Sequence, residues 1–222
     1  MIEIKNLVFR YPRGDFELRI EEFRIDVGSK VAIVGPSGSG KTTLLNLMSG
    51  IVVPDSGEVV VCQTDVGKLN DRSRRDFRIS NIGLVFQRFE LVEYLQVTDN
   101  ILLPYFINPS LQRKESARQR AKDLAIGMGL EGKLRRFPHQ LSQGEQQRVA
   151  ICRALIEQPQ LILADEPTGN LDPVNKTRIL DLLFKSSTEK KQTLVVVTHD
   201  MNILDGFDRV IDFEEFRVSA KV

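Results

Sequence analysis

The sequence predicts an α/β protein with a helical segment set into it. The first sign is a set of short continuous apolar runs, "KVAIV" (30–34), "LILA" (161–164) and "TLVVVT" (193–198). Runs of this length without alternation read as strands covered on both faces, the habit of parallel sheets. The second sign is an N-terminal stretch that alternates apolar and polar, as half-buried antiparallel strands do. The third is a middle region, from about Val97 to Glu157, with helical periodicity and no convincing strand.

Each element follows from its own residues. Ile2 to Phe9 alternates, "YPRGD" turns the chain, and Phe16 to Ile25 alternates again. "KVAIVG" is a buried strand, and Lys41 to Ser49 is the helix after it. "GEVVV" ends a further strand, and "IGLVF" (Ile82 to Phe86) makes another. The basic cluster "DRSRRDFR", Asp71 to Arg78, reads as a solvated helix face. "KESARQRAKDLAIGMGL" is amphipathic, with Ala117, Ala121, Leu124 and Met128 on one stripe. Pro173 to Lys190 is a helix with proline in its first turn. "RVIDF" supplies the last strand, and "RVSAKV" is too short for a regulatory domain.

The chain has 222 residues, 41% of them hydrophobic, which suffices for one large domain or a domain with a lobe. Lysine plus arginine (31) nearly balances aspartate plus glutamate (30), so no nucleic-acid-coating role is expected. The two cysteines, Cys62 and Cys152, lie far apart in apolar contexts, which argues against a disulfide framework and for a reducing compartment. No apolar run approaches the ~20 residues that span a bilayer. The start lacks a signal-peptide core. A soluble, cytoplasmic chain is expected, so work at a membrane would need another chain to cross it.

"GPSGSGKT", Gly35 to Thr42, follows a strand and opens a helix, the context of a phosphate-binding P-loop. Gly35, Gly38 and Gly40 let backbone N–H groups converge on phosphates without a Cβ in the way. Pro36, Ser37 and Ser39 complete the loop. Lys41 would reach the β- and γ-phosphates of ATP, and Thr42 would bind Mg²⁺. A glycine-rich turn is the plainer alternative, but the strand–loop–helix order speaks against it. "LILADEP" places Asp165 and Glu166 at the end of a buried strand, where ligands sit in open α/β sheets. Asp165 would hold Mg²⁺, and Glu166 could take a proton from the attacking water.

"LSQGEQQRVAICRAL" raises a separate question. Ser142 and Gly144 stand at a helix start far downstream of the P-loop, and that position also suits an anion. The motif order answers it. Tyr11 precedes the P-loop, Gln87 lies in "LVFQ", and "LSQGEQQR", "LILADEP", "GNLD" and "VVVTHD" follow. In this order the chain resembles the nucleotide-binding subunit of an ABC transporter along essentially its whole length.

That resemblance implies a P-loop NTPase core with an N-terminal antiparallel β-subdomain and an inserted α-helical subdomain. Residues 1–222 would form one ABC ATPase domain, with 1–87 and 159–222 as core and 88–158 as the helical part. It implies two such domains joined head to tail, here expected as a homodimer, with ATP between the P-loop of one and the signature of the other. Tyr11 would stack the base, and Gly38, Gly40, Lys41, Thr42 and Thr43 would hold the phosphates. Thr42, Gln87 and Asp165 would form the Mg²⁺ and water shell. Glu166 would be general base, and His199 would touch the γ-phosphate. Ser142 and Gly144, with Glu145 beside them, would act on the partner's nucleotide, a Cβ at position 144 pushing the anion away. Asp172 would line the dimer interface.

Two departures stand out: Gln143 replaces the usual first signature glycine and Glu145 the usual glutamine. The cadence of 65–105 is that of the lipoprotein-releasing and macrolide-exporter group, which works with a membrane permease. The chain would then sit peripherally on the cytoplasmic face through that permease. A non-transport ATPase serving cell division or another membrane or DNA process is the alternative. The segment "RFELVEYLQ", Arg88 to Gln96, is the expected permease contact.

Overall fold

The structure, a computed structural model, describes residues 1–108, 111, 115–169 and 171–216. Strands β1 (Ile2–Arg10) and β2 (Glu17–Ile25) pair antiparallel, from Ile2↔Ile25 to Arg10↔Glu17. Their alternation buries Ile2, Ile4, Leu7 and Phe9 beside Leu18, Ile20, Phe23 and Ile25. β3 (Lys30–Val34) runs into helix α1 (Lys41–Met48). β4 (Ser56–Val61) and β5 (Thr64–Asp65) close a four-stranded sheet in the order β2-β1-β4-β5.

Helix α2 (Asp71–Asn81) then leads into β6 (Ile82–Val85). Next come α3 (Val97–Ile101), α4 (Leu103–Ile107), α5 (Glu115–Gly127) and α6 (Gln143–Leu155). β7 (Leu161–Asp165), α7 (Pro173–Lys190), β8 (Thr193–Thr198) and β9 (Arg209–Asp212) complete the chain. The second sheet is parallel throughout its pairs, with strand order β6-β7-β8-β3-β9.

This sheet has a core on each face, which is why its strands read as unbroken apolar runs. Val31, Ile33, Leu161, Leu163, Val195 and Val197 join the cluster made by α1 and the antiparallel sheet. Ile162, Ala164, Leu194 and Val196 point the other way, into a cluster with Ala121, Ile151, Ile179 and Leu183 of the helices. The helical segment thus shares its core with the second face of the parallel sheet.

Two expectations change in detail. The stripe on α5 buries Ala117, Ala121, Ala125 and Met128, while Leu124 is only half-buried against it. The basic cluster of α2 is more than a solvated face. Arg78 donates to the carbonyls of Ser49 and Gly50, both at 3.3 Å, and Arg74 to Leu69 at 3.0 Å. Ser49 is the C-cap of α1, so Arg78 sets a cation against the carbonyl end of that helix. Burial lowers the Arg78 pKa accordingly. "RVSAKV" and Asn170 of "GNLD" lie outside the described residues.

Candidate active site

Strand order brings the site together. Val85↔Ala164, Asp165↔Val197 and Val34↔Thr198 are paired, so the carboxyl ends of β6, β7, β8 and β3 stand side by side. Gln87 follows the first of these strands, Glu166 the second, His199 the third and Gly35 the fourth. This edge is where an open parallel sheet binds its ligand.

Within the P-loop, Gly38 (φ 78°) and Gly40 (φ 114°) hold backbone conformations that suit glycine. Gly40 is the N-cap of α1. The Lys41 ammonium donates to the carbonyls of Gly35 at 2.8 Å and Pro36 at 2.7 Å, and to the Ser39 hydroxyl at 3.4 Å. Burial lowers its pKa, against the opposing pull of Glu166 and Asp165. Gly35, Pro36 and Ser39 therefore steer Lys41, whereas Ser37, Gly38, Gly40, Lys41, Thr42 and Thr43 line the cleft itself.

Burial raises the pKa of Asp165, and a hydrogen bond from the Thr42 side chain opposes that shift. Glu166, which lines the cleft, has a left-handed backbone (φ 46°), a costly conformation for this residue. One carboxylate oxygen lies 2.6 Å from His199 Nδ1. The other accepts from the Thr198 hydroxyl at 3.3 Å. Thr198 is fully buried and also accepts from the Asp200 backbone N–H at 3.0 Å. Asp200 in turn pairs with Lys176 of α7 at 2.5 Å. Thr198 was not singled out from the sequence. Its only signal there is a hydroxyl closing an otherwise apolar run, directly before His199.

The cleft encloses about 440 Å³ and is lined by Tyr11, Phe16 and Gln87 with the P-loop residues above, and by Asp165, Glu166 and His199. Tyr11 packs edge-on against Phe9, with ring centroids 4.9 Å apart, and its hydroxyl lies 3.2 Å from Thr43 Oγ1. Phe16, also missed by the sequence reading, gives the cleft a second aromatic wall.

The residues at the start of α6 lie elsewhere. Among the described residues, Ser142, Gly144 and Glu145 do not line this cleft. Ser142 is exposed and caps α6, its hydroxyl accepting from the Glu145 N–H at 3.3 Å while the Glu145 carboxylate accepts from the Ser142 N–H at 2.8 Å. That backbone hydrogen bond, helped by Lys133 at 3.3 Å, holds the Glu145 carboxyl below its ordinary range. Glu145 is thus engaged in building the helix start.

Gly144 is buried, and a Cβ there would point at Asn175 of α7, 3.4 Å from its Cγ. That is an ordinary van der Waals distance, so Asn175 neighbours this position without filling the space a small side chain would take. Asp172 caps α7, accepting from the N–H groups of Val174 and Asn175 at 3.1 Å and from the Asn175 amide at 2.5 Å.

Residues 18–169 match the ABC transporter family profile. The chain belongs to the ABC transporter family. It is 44% identical over 186 residues to the lipoprotein-releasing system ATP-binding protein LolD of Treponema denticola, covering 84% of this chain and 81% of that one. It is 40% identical to an uncharacterized ABC transporter ATP-binding protein of Mycobacterium tuberculosis, covering 100% and 90%. Against the macrolide export ATP-binding/permease protein MacB of Pasteurella multocida, identity is 40% over 99% of this chain and 34% of that longer protein. An ATP-binding cassette solved as a dimer in a post-hydrolysis state with ADP and Pi superposes with a TM-score of 0.88, at 37% identity, covering 99% and 97%. This cassette accordingly binds ATP and hydrolyses it. Among the described residues, no helix is long and apolar enough to cross a membrane.

Proposed function

We propose that two copies of this cassette close on ATP head to tail and drive a separate membrane permease of the lipoprotein-releasing or macrolide-exporter type. The observation that carries this reading is that the helix start at Ser142 stands apart from the nucleotide cleft. Lys41, Thr42, Gln87, Asp165, Glu166 and His199 share one cleft, while the exposed Ser142 and the buried Gly144 do not line it. An anion site outside the chain's own cleft is suited to the nucleotide of a second copy.

Glu166 is well placed to accept the proton of the attacking water, with Thr198 and His199 orienting its two oxygens. Lys41 balances β/γ charge once its bonds to loop carbonyls are exchanged for phosphate oxygens. Tyr11 and Phe16 offer faces for the base.

Thr42, Gln87 and Asp165 bring oxygen donors, which suit Mg²⁺, and the desolvated Asp165 carboxylate is one that a cation would stabilise. When bound, Mg²⁺ neutralises phosphate charge and orients the γ-phosphoryl group.

The chain acts as one domain in this reading, with 88–158 as a lobe carrying the permease contact. A groove of about 280 Å³ runs between α2 and β6 on one side and α4 and α6 on the other, with apolar walls such as Leu84 and Leu103 and the charged Arg78, Glu90, Arg153 and Glu157 among its lining. Ile107 (60% exposed) and Tyr94 (82% exposed) present apolar surface in the same lobe. A short permease helix would fit there, and in this reading the cassette sits peripherally on the cytoplasmic face through that permease.

Glu166→Gln keeps shape and removes the base, so turnover should fall by roughly 100-fold or more while ATP binding persists. Sizing chromatography of that variant with ATP and Mg²⁺ should give a stable dimer. A monomer that still binds ATP would overturn the head-to-tail reading.

A further inference from the structure

Arg153 lies in the last turn of α6, the helix that begins at Ser142. Its guanidinium reaches across the fold to the segment just after Gln87. Nη1 donates to the Glu90 carbonyl at 2.5 Å and Nη2 to the Phe89 carbonyl at 2.7 Å. A planar fork with paired donors suits two successive carbonyls in a way that a single ammonium does not. Glu90 has a left-handed backbone (φ 49°), so this grip falls on a conformation that needs restraint.

The same end of α6 is pressed against the core. A Cβ on Gly83 of β6 would lie 2.5 Å from the Ala154 carbonyl oxygen. β6 is the strand that delivers Gln87 to the cleft. Further along the segment, the buried Asn100 of α3 accepts from Val92 N–H at 2.8 Å and donates to the carbonyls of Val92 and Leu95 at 3.1 and 3.0 Å. The chain after Gln87 is therefore held twice by the helical lobe.

We propose that Arg153 is a positioning residue for Gln87, clamping the chain beyond it to the anchored end of the helix whose other end carries Ser142 and Gly144. A helix of 13 residues is a rod about 20 Å long. Through it, the setting of Gln87 in one nucleotide site is tied to the presentation of the signature to the other. The inference rests on the reading of Gln87 as a nucleotide-site residue.

The test is a double-mutant cycle in steady-state ATPase assays of the purified chain. Arg153→Met should lower kcat by about tenfold, with the KM for ATP within about twofold of wild type. Arg153→Lys, which keeps charge but loses the fork, should lower kcat about threefold. In a Gln87→Ala background each Arg153 substitution should cost less than about twofold further, because residues that act through one another are non-additive. A merely structural Arg153 would instead give the same factor in both backgrounds, and that result would overturn the proposal. Full wild-type kcat for both Arg153 variants would overturn it as well. If Arg153→Met does not fold, as judged by circular dichroism, the Arg153→Lys cycle decides alone. Wild-type kcat for Gln87→Ala would point instead to failure of the underlying assignment of Gln87.

Discussion

Gly38 and Gly40 differ by two positions and should fail in opposite ways when each is changed to alanine. At Gly40 an added Cβ would lie 2.8 Å from Phe16 Cζ and 3.3 Å from Phe213 Cζ, between two rings. The backbone there has φ 114° and ψ 8°, which costs a non-glycine residue about 1–3 kcal/mol. Overpacking adds about 1–3 kcal/mol. For a chain of this size each kcal/mol moves Tm by about 2–4 °C, so Gly40→Ala should lower Tm by roughly 4–24 °C. At Gly38 (φ 78°) nothing lies within 4 Å of the added Cβ, so only the left-handed backbone cost of about 1–2 kcal/mol remains. Gly38 lines the cleft, so Gly38→Ala should weaken ATP binding while lowering Tm by only about 2–8 °C. Thermal unfolding without nucleotide and an ATP titration separate the two. Adding Phe16→Leu to Gly40→Ala should recover the packing part of the loss and leave the backbone part. Equal Tm losses for the two glycine variants, or no recovery with Phe16→Leu, would refute this account.

Thr198→Val keeps volume and removes the donor to Glu166, so kcat should fall about tenfold or more, the scale of a hydrogen bond to a charged group, with KM for ATP little changed. Wild-type turnover would show that His199 orients Glu166 unaided. The bond from Lys176 holds Asp200 below its ordinary carboxylate range, so the stability Asp200 contributes is complete above about pH 4 and is lost as pH falls through its lowered value. Asp200→Asn should therefore flatten the acid limb of Tm against pH below about pH 5, and an unchanged limb would discount the pair. Glutamate at Tyr94 and Ile107 should abolish capture of the permease from solubilised membranes while ATPase activity of the cassette alone stays at wild type. Retained capture would move the docking site elsewhere.

Much of this protein is written locally. Runs of valine, isoleucine and leucine announce strands buried on both sides, because only a sheet covered on two faces can use them. Helix α7 keeps its expected bounds, Pro173–Lys190, because its start signals, a capping Asp172 and a proline in the first turn, are local too. The P-loop declares itself through glycines, Lys41 and Thr42 between a strand and a helix.

What only the tertiary structure decided is which distant residues meet. Parallel strands need crossovers, so sequence neighbours are not sheet neighbours, and the order β6-β7-β8-β3 is what sets Gln87, Asp165, Thr198 and Gly35 along one edge. The same holds for buried donors. Arg78 and Arg153 look like ordinary surface charges in the chain, but each ends on carbonyls far away in sequence. Gly144 reads in the chain as a glycine at a helix start, and only the fold sets it beside Asn175 of α7. Periodicity and capping act within a few residues and can be read in one dimension. Long-range hydrogen bonds and close backbone approaches depend on where the chain returns, and that is set by the packing of the whole core.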